Sequence, residues 1–93
     1  MTDAVLELVL IETAIEKLGA RGISEREAQQ LLANLYVTTR NPSQGGGAER
    51  QLLIGYTDGG RMLTLVIEQT PEPSSWLVIT GWTTAAHERK MLD

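Results

Sequence analysis

The strongest constraint on the fold lies in the second half of the chain, where two strand-forming segments flank a tight-turn sequence. Gln51–Thr57 and Arg61–Gln69 are rich in aliphatic and β-branched residues, and Asp58-Gly59-Gly60 separates them. Asp-Gly and Gly-Gly sequences adopt the positive φ angles of short hairpin turns at low cost. The two segments are therefore predicted to form an antiparallel hairpin, so any fold of this chain contains an antiparallel sheet.

Further strands are predicted on both sides of the hairpin, giving a meander of about four. Tyr36–Thr39 is rich in strand formers. Trp76–Trp82 alternates with a period of two, which predicts that Trp76, Val78, Thr80 and Trp82 share one face and that Leu77, Ile79 and Gly81 share the other. The loops between these strands are predicted over the glycine-rich segment Asn41–Ala48 and the proline-containing segment Thr70–Ser75.

Two helices are predicted in the first half of the chain. Ser24-Glu25-Arg26-Glu27 has the spacing of a capping box, and it precedes a helix with one apolar face, made of Ala28, Leu31, Leu32 and Leu35. Thr13-Ala14-Ile15-Glu16 has the same spacing and predicts an earlier helix that ends near Gly19 and Gly22.

The first apolar segment, Ala4–Ile11, has two interpretations. A helix that begins at Thr13 would leave this segment as a separate strand, which is the favoured one; a continuous helix from Asp3 is the alternative. The segment is far shorter than the ~20 residues of a membrane helix. It also lacks the basic residues that begin a signal peptide. The chain is therefore predicted to be cytoplasmic and to make no membrane contact.

The fold class that follows is α+β, in a single domain over residues 1–93. Two N-terminal helices, with or without a short preceding strand, are predicted to pack on a mainly antiparallel sheet of about four strands. Thr83 or Thr84 is predicted to cap a short C-terminal helix that runs to about Leu92.

Composition excludes several classes of site. The chain has no cysteine and one histidine, His87, so neither a zinc site nor any other metal or cofactor is expected. Its 12 acidic and 8 basic residues give a formal net charge of −4, so a nucleic-acid surface must be local. Because Trp76 and Trp82 are predicted to share a face, they form a candidate apolar surface for a homodimer or a protein partner.

The candidate functional residues fit metal-independent cleavage of RNA. That reaction needs a base for the 2′-hydroxyl, cations for the phosphate and an acid for the leaving oxygen. His87 is the candidate acid or base and Glu88 a candidate base, while Tyr56 and Trp82 are candidates for stacking on unpaired bases. The candidate cations are Arg50, Arg61 and Arg89. Ordinary structural roles, such as solvated charges and core aromatics, are the alternative for each of these residues.

The order of the motifs resembles that of BrnT-like toxins over roughly residues 5–92. Gly22–Ala28 resembles the family's "K-H-G-I-S-F-x-E-A" helix junction, and residues 49–61 resemble its "ER…IG-x-T-x-x-GR" hairpin. Leu63–Val66 looks like the "L-x-V-V" strand, and Val78–Arg89 is similar to the closing "I-I-S-A-R-x-A-T-x-x-E-R". The sequence departs from the family where Ala20 and Arg21 replace Lys-His, where Trp82 replaces an arginine, and where the final tyrosine is absent.

The resemblance implies a compact RelE-like fold and an endoribonuclease that a cognate antitoxin neutralises. In that interpretation Arg50, Arg61 and Arg89 stand at the family's basic positions, and RNA and the antitoxin are the partners. Two other functions stay open. One is a catalytically inactive homodimeric binding or regulatory module on the same fold, and the other is an antitoxin- or immunity-type protein, which the acidic charge would suit.

Overall fold

The computed structural model describes residue 5 and residues 7–40 and 50–84, and these form an α+β fold. The elements, in chain order, are β1 (Glu7–Val9), α1 (Glu12–Gly19), α2 (Glu25–Gln30), a 3-10 turn (Leu31–Ala33), β2 (Tyr36–Arg40), β3 (Arg50–Tyr56), β4 (Met62–Gln69) and β5 (Ser75–Thr83). The predicted glycine-rich loop and C-terminal helix lie outside the described residues.

The sheet of the described chain has five strands rather than about four, in the order β1-β5-β4-β3-β2. The fifth is β1, which pairs parallel to β5 with Leu8 opposite Trp76. All other pairings are antiparallel, so the sheet is mixed but mainly antiparallel. Residues 7–9 are extended, so the strand interpretation of the first apolar segment is confirmed there and the continuous helix from Asp3 is wrong.

The predicted central hairpin is confirmed, with β3 and β4 paired from Arg50 opposite Glu68 to Tyr56 opposite Met62. Its turn is closed by a hydrogen bond of 2.8 Å from the Thr57 amide to the Arg61 carbonyl. Gly60 has a φ of 86°, which a residue with a side chain would adopt only with backbone strain. The turn chemistry read from Asp58-Gly59-Gly60 therefore sets the register of the hairpin.

Both helices pack on one face of the sheet, and the core lies between the helices and that face. Leu18 of α1 and Ala28 of α2 are fully buried there, as is Leu31 of the 3-10 turn. They meet the inward side chains of three strands, namely Leu53, Leu63, Leu65, Ile67, Trp76 and Val78. The strand β4 is buried along both faces from Met62 to Ile67, which agrees with its nearly continuous apolar sequence.

The first helix begins earlier than its predicted cap. The structure places Ile11 at the N-cap position, and the Ile15 amide donates to the Ile11 carbonyl at 3.0 Å, so the Thr13 capping box is wrong. Only two residues separate β1 from α1, so the helix begins at Glu12, before Thr13 could cap it. Glu12 in the first turn suits the positive end of the helix dipole.

The second helix begins as predicted but ends early. The Ser24 hydroxyl accepts from the Glu27 amide at 3.1 Å, and the Glu27 carboxylate accepts from the Ser24 amide at 3.1 Å. Beyond Gln30 the chain tightens into the 3-10 turn, which rotates Leu35 off the buried face and leaves it 63% exposed. The prediction that Leu35 belongs to that face is wrong. The side-chain amide of Asn34 stabilises the early ending, because its Nδ2 donates to the Gln30 carbonyl at 3.2 Å.

A β-bulge in β5 interrupts the predicted alternation of that strand. Val66 pairs with Thr80, whereas the next residue, Ile67, pairs with Val78, so Ile79 is one extra residue on β5. Because side chains alternate between the two faces of a strand, an extra residue moves each later side chain to the opposite face from the one predicted. Gly81 accordingly lies over the helices, where an added Cβ would approach Leu18 at 3.0 Å.

The bulge also separates the two tryptophans. Trp76 is 1% exposed in the core under the helices. Trp82 pairs with Thr64, whose neighbours along β4 face the helices, so Trp82 lies on the opposite face. The prediction that Trp76 and Trp82 share a face is wrong, and the apolar surface argued from it is absent from the described structure. Homodimerisation stays a prediction without that support.

Candidate functional site

Arg61 joins three segments that are distant in the sequence. Its Nη1 donates to the Gly22 carbonyl at 2.8 Å and lies 3.4 Å from each carboxylate oxygen of Glu27. Its Nη2 donates to the Thr83 hydroxyl at 3.0 Å. The side chain is 34% exposed. The hairpin turn, the α1–α2 junction and the end of β5 are therefore held together by one guanidinium.

The junction that Arg61 contacts has a constrained backbone. Gly22 has a φ of 74°, which favours glycine, and the Ile23 amide donates back to the Leu18 carbonyl at 2.9 Å. The Gly22 carbonyl is thereby fixed in direction, and it accepts the hydrogen bond from Nη1 of Arg61. Sequence reasoning chose Arg61 as a phosphate ligand, but the structure gives its donors protein partners.

The pKa of the Glu27 carboxyl is lowered from its ordinary value of 4.5. The main cause is the hydrogen bond from the Ser24 amide, and the positive charge of Arg61 acts in the same direction. Glu27 therefore serves both as the second half of the capping box and as the counter-ion of Arg61.

Lowering the pH is expected to weaken the contacts of the Glu27 carboxylate with Ser24 and Arg61. Because the folded pKa of Glu27 is below the unfolded one, its stabilisation is complete above about pH 4.5 and is lost as the pH falls through the lower folded value. In urea unfolding, the stability difference between the wild type and Glu27→Gln should therefore shrink between pH 6 and pH 3. Glu25→Gln, in the same helical turn, is the matched control for removing a carboxylate that has no contact with Arg61 in the described structure. A Glu27→Gln deficit that is unchanged at pH 3 would contradict the assignment.

Arg50 lies at the other end of the hairpin and has its own partner. Its Nε is 2.9 Å from Oε1 of Glu68, directly across the β3–β4 ladder. The length of β3, about 20 Å at a rise of about 3.4 Å per residue, separates Arg50 from Arg61. The structure does not bring these two predicted cations to one phosphate.

The two predicted stacking residues also lie apart from one another. Tyr56 ends β3 and is half-buried, and its carbonyl accepts from the side-chain Nδ2 of Asn34 at 3.1 Å. Trp82 is half-buried on β5, and β4 lies between the two strands. His87, Glu88 and Arg89 lie outside the described residues.

A cleft of about 440 Å³ lies where the end of α1 passes β5, and Lys17, Ala20, Arg21 and Thr80 line it. Sequence reasoning did not single out Lys17 or Arg21 as functional. Their spacing of four residues was a visible signal, since it places two cations on one side of a helical turn. That Thr80 borders the same space depends on the tertiary packing of α1 against β5.

The described part of the chain contains no group of His, Asp and Glu side chains that could hold a metal ion. Among its helices, none combines the length and the apolar character needed to cross a membrane. No protein-family model matches the sequence, and neither a curated protein nor a solved structure resembles it significantly.

Proposed function

We propose that this protein is a BrnT-like toxin domain of the RelE-like superfamily, which cleaves RNA without a metal and is neutralised by a cognate antitoxin. The observation that carries the proposal is the convergence at Arg61. The segments with which the sequence resembles the family are the helix junction, the hairpin and the closing strand, and Arg61 bonds to Gly22 and Glu27 of the first and Thr83 of the last. Motifs that contact one another support a shared fold better than motifs that only share an order.

The same contacts change the role proposed for Arg61. A guanidinium whose donors reach a carbonyl, a carboxylate and a hydroxyl holds structure and is a positioning residue. Arg50 is likewise paired with Glu68 on the sheet. The proton transfer and the charge stabilisation at the phosphate are accordingly assigned to His87, Glu88 and Arg89, on the chemistry of these residue types.

Purified protein without antitoxin is expected to cut a mixed pool of RNA in the presence of a metal chelator. Arg89→Gln should lower the rate by about a hundredfold if Arg89 stabilises the charged phosphate. His87→Gln should lower the rate and also alter its pH dependence, because it removes the group that titrates near neutral pH. Cleavage by the wild type is the measurement, and growth arrest on induced expression is the corresponding test in cells.

A second candidate function is a binding module on the same fold that cuts nothing. The observation in its favour is that both described candidate cations, Arg50 and Arg61, are paired with carboxylates. An unreactive wild type that still binds RNA would establish this function instead. A wild type that neither binds nor cuts RNA would contradict both.

A further inference from the structure

The cleft between α1 and β5 exists because β1 is short. The strand β1 pairs with β5 only along residues 75–77, so Thr80 lies beyond the end of β1. At this point the last turn of α1 passes alongside β5 and supplies Lys17, and Arg21 follows the end of the helix by two residues. Two cations and one residue of β5 therefore border one concave space of about 440 Å³.

The cations of the cleft differ from the two arginines discussed above. Arg50 and Arg61 each have a carboxylate partner, whereas in the described part of the chain Lys17 and Arg21 have none. Both side chains belong to exposed residues. Their positive charge is thus available to a ligand in a chain whose net charge is −4.

Stabilisation of the α1 dipole is the competing role for these residues. A cation in the last turn of a helix contributes about 0.3–1 kcal/mol in this way. That role does not require a cleft between the helix and the neighbouring strand. The two roles can be tested separately, because dipole stabilisation changes the free energy of unfolding, whereas phosphate binding changes the affinity for an added anion.

We infer that this cleft binds a phosphate group, with Arg21 and Lys17 as its charged ligands beside Thr80 of β5. A guanidinium forks onto two phosphate oxygens, and an ammonium adds a compact charge beside it. The space exceeds a lone phosphate and suits one that is attached to a sugar. Phosphate binding as such is independent of the proposed function; assigning the phosphate to an RNA strand rests on it.

Amide chemical shifts of the full chain, titrated with inorganic phosphate and then with a 2′-O-methylated oligouridine, test this inference. The methylated strand presents phosphodiesters and is not cleaved. We expect shifts at residues 17–21 and at Thr80 with both probes. Lys17→Gln/Arg21→Gln should weaken both interactions at least tenfold. Arg26→Gln, which removes an exposed helix arginine that does not line the cleft, should leave them unchanged.

The salt dependence of oligonucleotide binding separates a direct phosphate contact from a folding effect. Losing two contacts to a single strand should lower the slope of log K against log salt by about 1.4, at about 0.7 for each contact. Circular dichroism verifies that α1 is intact in the double variant. Shifts confined to other residues, or an unchanged affinity and slope in the double variant, would overturn the inference even if the wild type cleaves RNA. Phosphate shifts at the cleft without any RNA binding would keep the site and reject the proposed function.

Discussion

Replacing Gly81 by alanine is expected to destabilise the folded protein by about 3 kcal/mol, at the upper end of the range for overpacking a core. Gly81 lies under α1 because of the bulge in β5. An added Cβ would lie 2.6 Å from a methyl group of Leu65, 2.8 Å from the Thr64 carbonyl and 3.0 Å from Leu18. The Leu65 methyl group can move, but the carbonyl is part of the β4 backbone, so the β4–β5 ladder must open.

Alanine also restricts the unfolded chain, which offsets about 0.4–1 kcal/mol of that cost. The net loss of about 2–2.6 kcal/mol should lower the Tm by about 8–20 °C, since 1 kcal/mol corresponds to about 4–8 °C in a domain of this size. Gly59→Ala is the matched control, because its Cβ would meet nothing closer than the Thr57 hydroxyl at 3.9 Å and its φ is not positive. Equal melting temperatures for Gly81→Ala and Gly59→Ala would show that α1 does not pack on this part of β5.

The sequence could predict those features that depend on neighbouring residues. The Asp58-Gly59-Gly60 turn set the hairpin, and Ser24 with Glu27 formed the capping box that their spacing indicates. The features that were missed depend on distant residues. The bulge at Ile79 arises from the fit of β5 to β4 and leaves no mark in the alternating sequence, so the second tryptophan was assigned to the wrong face.

In the candidate site, too, the features set by neighbouring residues could be predicted and those set by distant residues could not. The charges of Lys17 and Arg21 and their spacing are visible in the sequence, but the cleft that they line requires β5 to lie beside α1. Conversely, the sequence does not show which residues contact Arg61, so it was a candidate phosphate ligand. Its partners, Gly22, Glu27 and Thr83, are brought to it by the tertiary fold.

The position of Arg61 leads to the second large expected effect. Arg61→Met keeps the aliphatic stem and removes every donor, and it should lower the free energy of unfolding by about 2–3 kcal/mol. Hydrogen bonds to a charged group contribute about 1.5–3 kcal/mol each when buried, and the 34% exposure of this side chain reduces their sum. Arg61→Lys should recover less than half of the loss, because an ammonium cannot reach the three partners as a planar fork does.

Arg50→Met is the control for removing an ion-paired arginine. It should cost less than about 1 kcal/mol, because it removes one partly exposed ion pair, whereas Arg61→Met removes contacts to three residues. The measurement is the urea midpoint and slope of each variant, followed by RNA cleavage under conditions in which all are folded. If Arg61 is a positioning residue, its replacement lowers the free energy of unfolding because its contacts are lost. Since Arg61 and Glu27 contact each other, combining Arg61→Met with Glu27→Gln should cost less than the sum of the two single changes. An Arg61→Met protein as stable as the wild type but unable to cut RNA would instead place Arg61 among the catalytic residues.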